Sequence, residues 1–164
     1  MKVIDIMEPL SDWLTPEMNL EKAISVMRQA KRGHGLSVNA IVVLDADRKL
    51  VGIVSTTDIL RAILPPHLFF DEDSNAGSWE SLRQDRIEKT RNMHVADIMT
   101  EDVRIIRTND SLMRCADTLL VEQLRRLPVV ALDGRIVGVV YLRDVYNAVT
   151  ELLCAPMTAV SNSG

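Results

Sequence analysis

Residues 1–7 read MKVIDIM and residues 93–99 read MHVADIM. Five of the seven positions are identical at an offset of 92, in a chain of 164 residues. This match identifies two copies of one unit, and internal repetition fixes architecture before any other argument. The correspondence continues outward. Leu20 falls on Leu112, Ala23 on Cys115 and Met27 on Leu119 at the same offset. "AIVVLD" (Ala40–Asp45) then aligns with "PVVALD" (Pro128–Asp133) at offset 88, and "GIVSTTD" (Gly52–Asp58) with "GVVYLRD" (Gly138–Asp144) at offset 86. On this alignment four extra residues lie in Lys31–Asn39 and two in the turn Asp45–Gly52.

The apolar pattern gives each copy the order strand, helix, strand, strand, helix. A short apolar piece opens each unit, Trp13–Leu14 in the first and Val103–Ile106 in the second. Leu20, Ala23, Ile24, Met27 and Ala30 recur at helical spacing behind Asn19 as N-cap; Leu112, Cys115, Ala116 and Leu119 do so behind Ser111. Strands are expected at Ala40–Leu44 and Val51–Ser55, and at Leu127–Leu132 and Ile136–Tyr141, with Asp133-Gly134 as a hairpin signal. Helices Thr57–Leu64 and Leu142–Leu153 follow, stopped by Pro65-Pro66 and Pro156. The expected division is a first repeat over 1–64, an insert over 65–92, a second repeat over 93–156 and a frayed tail over 157–164. Within the insert, Asp71–Ser78 is acidic and aperiodic and is expected to be mobile. From Trp79 to about Arg91 a helix is expected, with Ser78 as its cap and Trp79, Leu82 and Ile87 as a narrow stripe.

Composition narrows the function classes. A repeat of about 60 residues is near the lower limit for an independent core, so the two should share one. The net charge of −4 argues against general affinity for nucleic acid or anionic membrane. No apolar run approaches the roughly 20 residues that span a bilayer. Asp5 and Glu8 interrupt any signal-peptide pattern. Cys115 and Cys154 are too few for a disulfide framework, and a reducing cytoplasm is expected. His34, His67 and His94 have no partners at metal-ligand spacing, neither cysteine has a nearby histidine, and no Walker-type lysine loop is present. No metal site and no enzyme activity are expected.

Val3-x-Asp5-Ile6-Met7, Val95-x-Asp97-Ile98-Met99, Leu127-Pro128-Val129-Val130 and the two Gly-x-x-x-x-x-Asp stretches resemble the tandem CBS-domain module, named after cystathionine β-synthase. The resemblance covers nearly all of the chain outside the insert and tail. It implies an α+β fold of two β-α-β-β-α repeats packed about a pseudo-two-fold axis. It also implies two related clefts that hold adenosine-containing ligands: AMP, ADP, ATP, S-adenosylmethionine or NAD.

A nucleotide site needs an apolar slot for the base, acceptors for ribose hydroxyls and donors for phosphate. The second repeat offers Asp144 as ribose acceptor, Gly138 for close backbone approach, and Val103, Ile105, Pro128 and Val129 as walls. Arg126 matches the position where the family often places a phosphate-contacting cation, with Arg125 a second choice. Asp144 is equally well placed as a first-turn residue favoured by the helix dipole. The first repeat offers Ser55 and Asp58, the family's Ser/Thr-x-x-Asp form. Its cations are fewer: Ser37-Val38 aligns with Arg125-Arg126, leaving Lys31, Arg32 and His34, or a backbone nest at Gly33 and Gly35, to serve phosphate. Tyr141 replaces the usual Ser or Thr, and either flanks a base or blocks the cleft.

Two functions compete. One is a stand-alone regulatory module that binds an adenosine nucleotide and signals to a partner protein by changing the angle between repeats. The other is a constitutive dimeric interaction module with vestigial clefts. A two-fold homodimer is expected in both. Ile59, Leu60, Ile63 and Leu64, with Val145, Val149, Leu152 and Leu153, are the residues available for its contact.

Overall fold

The computed structural model describes residues 1–64 and 79–156. In chain order the elements are β1 (Glu8–Pro9), α1 (Leu20–Gln29), β2 (Lys31–Arg32), β3 (Leu36–Ser37), β4 (Ala40–Leu44), β5 (Leu50–Ser55) and α2 (Thr56–Ile63). There follow α3 (Trp79–Arg91), α4 (Val95–Ile98), β6 (Ile106–Arg107), α5 (Leu112–Val121), β7 (Arg126–Val130), β8 (Ile136–Tyr141) and α6 (Leu142–Cys154). The α+β class is that read from the sequence, but the opening strand expected at Trp13–Leu14 is reduced to a single bridge from Leu14 to Val43, β1 lies earlier, and the first repeat adds β2 and β3 between its first helix and its hairpin. Asn19 and Ser111 cap α1 and α5, each accepting the backbone N–H three residues on. The expected mobility of Asp71–Ser78, the cap at Ser78, the Trp79 and Leu82 stripe and the frayed tail lie outside the described residues or side chains.

The duplicated motif has a local physical cause. In both copies the aspartate closes a helical turn: the Lys2 N–H donates to Asp5 Oδ2 at 2.7 Å, and the His94 N–H to Asp97 Oδ2 at 2.8 Å. The valine then points away from its own repeat. Val3 is fully buried among Leu112, Cys115, Leu119, Leu127 and Val140 of the second repeat. Val95 is fully buried among Leu14, Ala23, Ile41 and Val54 of the first. Backbone bonds reinforce the exchange, with the Leu112 N–H donating to the Met1 carbonyl and the Leu20 N–H to the Met93 carbonyl. Each repeat therefore completes the core of the other.

The same exchange continues into the sheets. β7 and β8 form an antiparallel hairpin, β6 pairs parallel with β7, and β1 pairs antiparallel with β8. Around the β4–β5 hairpin the corresponding contacts are single bridges, Leu14 with Val43 and Ile53 with Thr100. Between the two sheets Val42, Leu44, Val130 and Ile136 make a common apolar layer with Leu10, Trp13, Leu50 and Val139. The shared core expected from repeat size is this layer together with the crossed motifs.

The strand registers correct the sequence alignment. Ala40 pairs with Ser55, and Arg126 pairs with Tyr141. The offset is thus 86 throughout β4 and β7, not 88. Both turns have the same length and the same bonds: the Arg48 N–H donates to the Asp45 carbonyl, and the Gly134 N–H to the Ala131 carbonyl. Arg48 (φ 62°) and Gly134 (φ 82°) occupy the same left-handed position. All six extra residues of the first repeat therefore lie between α1 and β4. There they form the small β2–β3 hairpin, in which Lys31 pairs with Ser37 and Arg32 with Leu36.

Both cysteines are free thiols. Cys115 is in the core, and burial pushes its thiol up to about 11, with Asp110 adding to the effect. Cys154 is exposed. A thiol reagent at neutral pH is expected to modify one cysteine in the folded protein and both after denaturation, because the thiolate is the reactive form. Rapid modification of two in the folded state would contradict this packing.

Candidate functional site

Two clefts open at the seam between the repeats. Each takes its strand-to-helix junction from one repeat and its facing wall from the other.

In the first cleft, of about 410 Å³, β5 ends at Ser55 and α2 begins, with Asp58 in its first turn. The Ser55 N–H and hydroxyl donate to Asp58 Oδ2 at 2.7 and 2.8 Å, and the Asp58 N–H donates back to Ser55 Oγ at 3.2 Å. This reciprocal cap holds the carboxylate in place. It also leaves Asp58 Oδ1 without a hydrogen-bond partner among the described residues. Ala40, Ile53, Val103 and Pro128 give apolar walls, and Arg104, Arg125 and Arg126 come from the second repeat.

The second cleft, of about 320 Å³, has Tyr141 where the first has Ser55. The Tyr141 N–H donates to Asp144 Oδ2 at 3.2 Å, so the helix-starting aspartate is held as before. Its facing wall is Glu8–Asp12 together with the β2–β3 hairpin. Arg32 on this hairpin donates from Nη2 to Asp144 Oδ1 at 3.0 Å and from Nε to Glu8 Oε1 at 3.1 Å. Its guanidinium carbon lies 3.6 Å from the Tyr141 ring centre. Asp58 lines the first cleft, whereas Asp144 does not line the second.

Arg126 borders both clefts. Its Nη1 is buried and has no hydrogen-bond partner among the described residues. Burial pulls its guanidinium below the usual arginine range; Tyr141 opposes that shift, while Arg32 and Arg125 add to it. Burial likewise pushes the Asp144 carboxyl above the usual carboxylate range, and this outweighs the nearby Arg32 cation. A buried guanidinium nitrogen without a partner costs free energy that a hydrogen-bond acceptor between the repeats would recover.

The structure redistributes the residues singled out in the sequence. It brings Ser55, Asp58, Val103, Arg126 and Pro128 together in the first cleft. Tyr141 and Asp144 lie at the second, where Arg126 also reaches. Val129 is wholly buried in the core, and Gly138 is covered by β1, so neither can meet a ligand as expected. Ile105 is exposed and lines neither cleft. Two cations lie across from the repeat they were expected to serve: Arg125 lines the cleft of Asp58, and Arg32 bonds Asp144, while Arg126 borders both clefts. The cause is the crossed packing of the motifs, which places each loop before a strand opposite the other repeat's junction. Glu8 was not singled out, although its place directly after Val3-x-Asp5-Ile6-Met7 puts it beside β8.

The family model for the CBS domain matches residues 3–65 and 95–151. The chain belongs to the CBS domain family. Among its relatives is the chloroplast CBS domain-containing protein CBSX2 of Arabidopsis thaliana, 30% identical over 159 residues, or 87% of this chain. The chain spans 64% of that relative's length. A structure of CBSX2 in complex with AMP superposes with a TM-score of 0.67 at 27% identity, covering 92% of this chain and 97% of that one. A CBS domain-containing protein of unknown function from Bacillus anthracis has the same fold, with a TM-score of 0.70 at 23% identity over 92% of this chain and 94% of that one. The two units are thus a CBS pair, and among the described residues no helix is long and apolar enough to cross a membrane.

Proposed function

We propose that this CBS pair is a regulatory module that binds an adenosine nucleotide, with AMP the first choice, and signals to a partner protein through the angle between its repeats. The observation that carries this reading is the first cleft. There a fixed carboxylate with an unpartnered oxygen, an apolar slot and a cluster of arginines converge. Asp58 and Ser55 would accept ribose hydroxyls, Ala40, Ile53, Val103 and Pro128 would enclose the base, and Arg126 with Arg125 would meet phosphate. The AMP complex of CBSX2 supports the choice of ligand. Because Asp58 and Arg126 belong to different repeats, a nucleotide held by both favours one inter-repeat arrangement over others. Differential affinity of this kind is the only way a ligand shifts a conformational equilibrium. No catalytic step enters this reading, and two free cysteines fit a reducing compartment such as the cytoplasm.

Thermal denaturation with AMP, ADP, ATP, NAD and S-adenosylmethionine tests the proposal. A ligand at 100 times its Kd adds about 2.7 kcal/mol, or a rise of ~5–11 °C in Tm for a chain of this size. No shift with any of them would favour the constitutive interaction module. Arg126→Ala is expected to weaken AMP while sparing adenosine, because Arg126 addresses phosphate and not ribose. Equal loss of both in calorimetric titration would place Arg126 elsewhere.

We also propose a two-fold homodimer. Ile59 and Val145 are consumed in the core, but Leu60, Tyr146, Leu152 and Leu153 are exposed. Light scattering at micromolar concentration is expected to give twice the chain mass of 18.4 kDa; a monomer would remove this part of the account.

A further inference from the structure

The β2–β3 hairpin has no counterpart in the second repeat, and it brings Arg32 into the second cleft beside Lys31 and Gly33. Arg32 is only 14% exposed there. Its guanidinium carbon lies 3.6 Å from the Tyr141 ring centre, and it holds Asp144 Oδ1, the oxygen equivalent to Asp58 Oδ1 of the first cleft, which has no partner among the described residues. Glu8 fixes it from β1: Oε1 accepts from Arg32, and Oε2 accepts from the Gly33 N–H at 3.0 Å. Three separate elements (the hairpin, β1 and the start of α6) thus close on one guanidinium. One cation satisfies two carboxylates in a half-buried setting, where charged hydrogen bonds are at their strongest.

Building on the nucleotide reading above, we propose that Arg32 is a built-in occupant of the second cleft, so that the chain takes one nucleotide, in the first cleft. An entering nucleoside must break Arg32 away from Asp144 and Glu8 and lift it from Tyr141. Displacing the Arg32 side chain removes the ties of the hairpin to Asp144 and Glu8 Oε1 and leaves the Gly33 N–H on Glu8 Oε2. The first cleft has no such barrier, because only Glu122–Arg125 precedes β7 and no side chain there bonds Asp58 among the described residues.

Calorimetric titration with AMP and with adenosine tests this directly. The unaltered chain is expected to bind one equivalent of AMP, and Asp58→Asn to weaken that site. Adding Arg32→Ala to Asp58→Asn is expected to create adenosine binding at the second cleft, on the order of 10- to 100-fold tighter than in Asp58→Asn alone. A further Asp144→Asn should remove the gain. Glu8→Gln, which unhooks Arg32 without touching it, should produce a smaller gain and covers the case in which Arg32→Ala fails to fold. Two equivalents bound by the unaltered chain, or no gain from either Arg32→Ala or Glu8→Gln, overturns the proposal while leaving nucleotide binding intact. Loss of binding on Arg32→Ala alone would make Arg32 a ligand contact and overturns it as well. Absence of binding in the unaltered chain and in every variant overturns both this proposal and the nucleotide reading.

Discussion

Asp58→Asn is expected to weaken AMP about 10- to 150-fold, the loss that follows from one charge-assisted hydrogen bond of roughly 1.5–3 kcal/mol. Asparagine keeps the shape of the side chain, and its carbonyl oxygen can still accept from the Ser55 N–H, which Asp58 Oδ2 now does at 2.7 Å. The cap of α2 therefore survives, and the fold should be intact by circular dichroism. What is lost is the anionic acceptor at Oδ1. Asp144→Asn should have little effect on the unaltered chain, because Arg32 already occupies that carboxylate at 3.0 Å. Unchanged affinity in Asp58→Asn would mean that the two aspartates serve only to start their helices.

Gly138→Ala is expected to lower stability by about 3 kcal/mol, toward the upper end of overpacking costs, and Tm by ~6–12 °C. A Cβ at Gly138 would run into the Glu8 carbonyl oxygen and lie 3.1 Å from Met7 Sδ. The near atom is backbone, and β1 cannot yield without losing its pairing to β8. Gly52 is its counterpart, and a Cβ there would meet Met99 Sδ at 2.7 Å and, less tightly, the Thr100 carbonyl oxygen at 3.1 Å. The nearest atom belongs to a flexible side chain and the backbone contact is looser than at Gly138, so Gly52→Ala should cost less, about 1–2 kcal/mol. Urea denaturation of both variants checks the ordering. Equal and small losses would mean that the segments following the two motifs are not held against the strands in solution.

The repeat, the α+β class and most element boundaries were legible because they rest on local signals: a duplicated heptad of residues, N-caps at Asn19 and Ser111, and apolar spacing. The two-residue slip in β4 was not. In a strand, a shift of two keeps every side chain on its original face, so the apolar pattern of "AIVVL" fits either offset. The turn carries the deciding signal in one copy alone: Arg48 holds the left-handed position that Gly134 marks openly in the other. The crossing of Val3 and Val95 into opposite cores is a tertiary fact with no signature in spacing. It is the reason spacing could not pair the charges across the clefts: Asp58 and Asp144 stand at their expected junctions, but Arg32 reaches Asp144 from the other repeat, Arg125 lines the cleft of Asp58, and Arg126 borders both clefts. Val129 is buried and Gly138 is covered by β1, and neither fact shows in spacing, since a buried strand position and a strand-covered glycine look in sequence like any apolar wall and any close approach.

The central claim is that a nucleotide lies between the repeats in the first cleft and spans Asp58 and Arg126. A crystal structure of the protein grown with saturating AMP measures this most directly. The account predicts one nucleotide per chain, its ribose on Asp58, its base against Ile53 and Pro128, its phosphate beside Arg126, and Arg32 still on Asp144. An empty first cleft under those conditions, or AMP seated on Tyr141 with Arg32 in place, would contradict it.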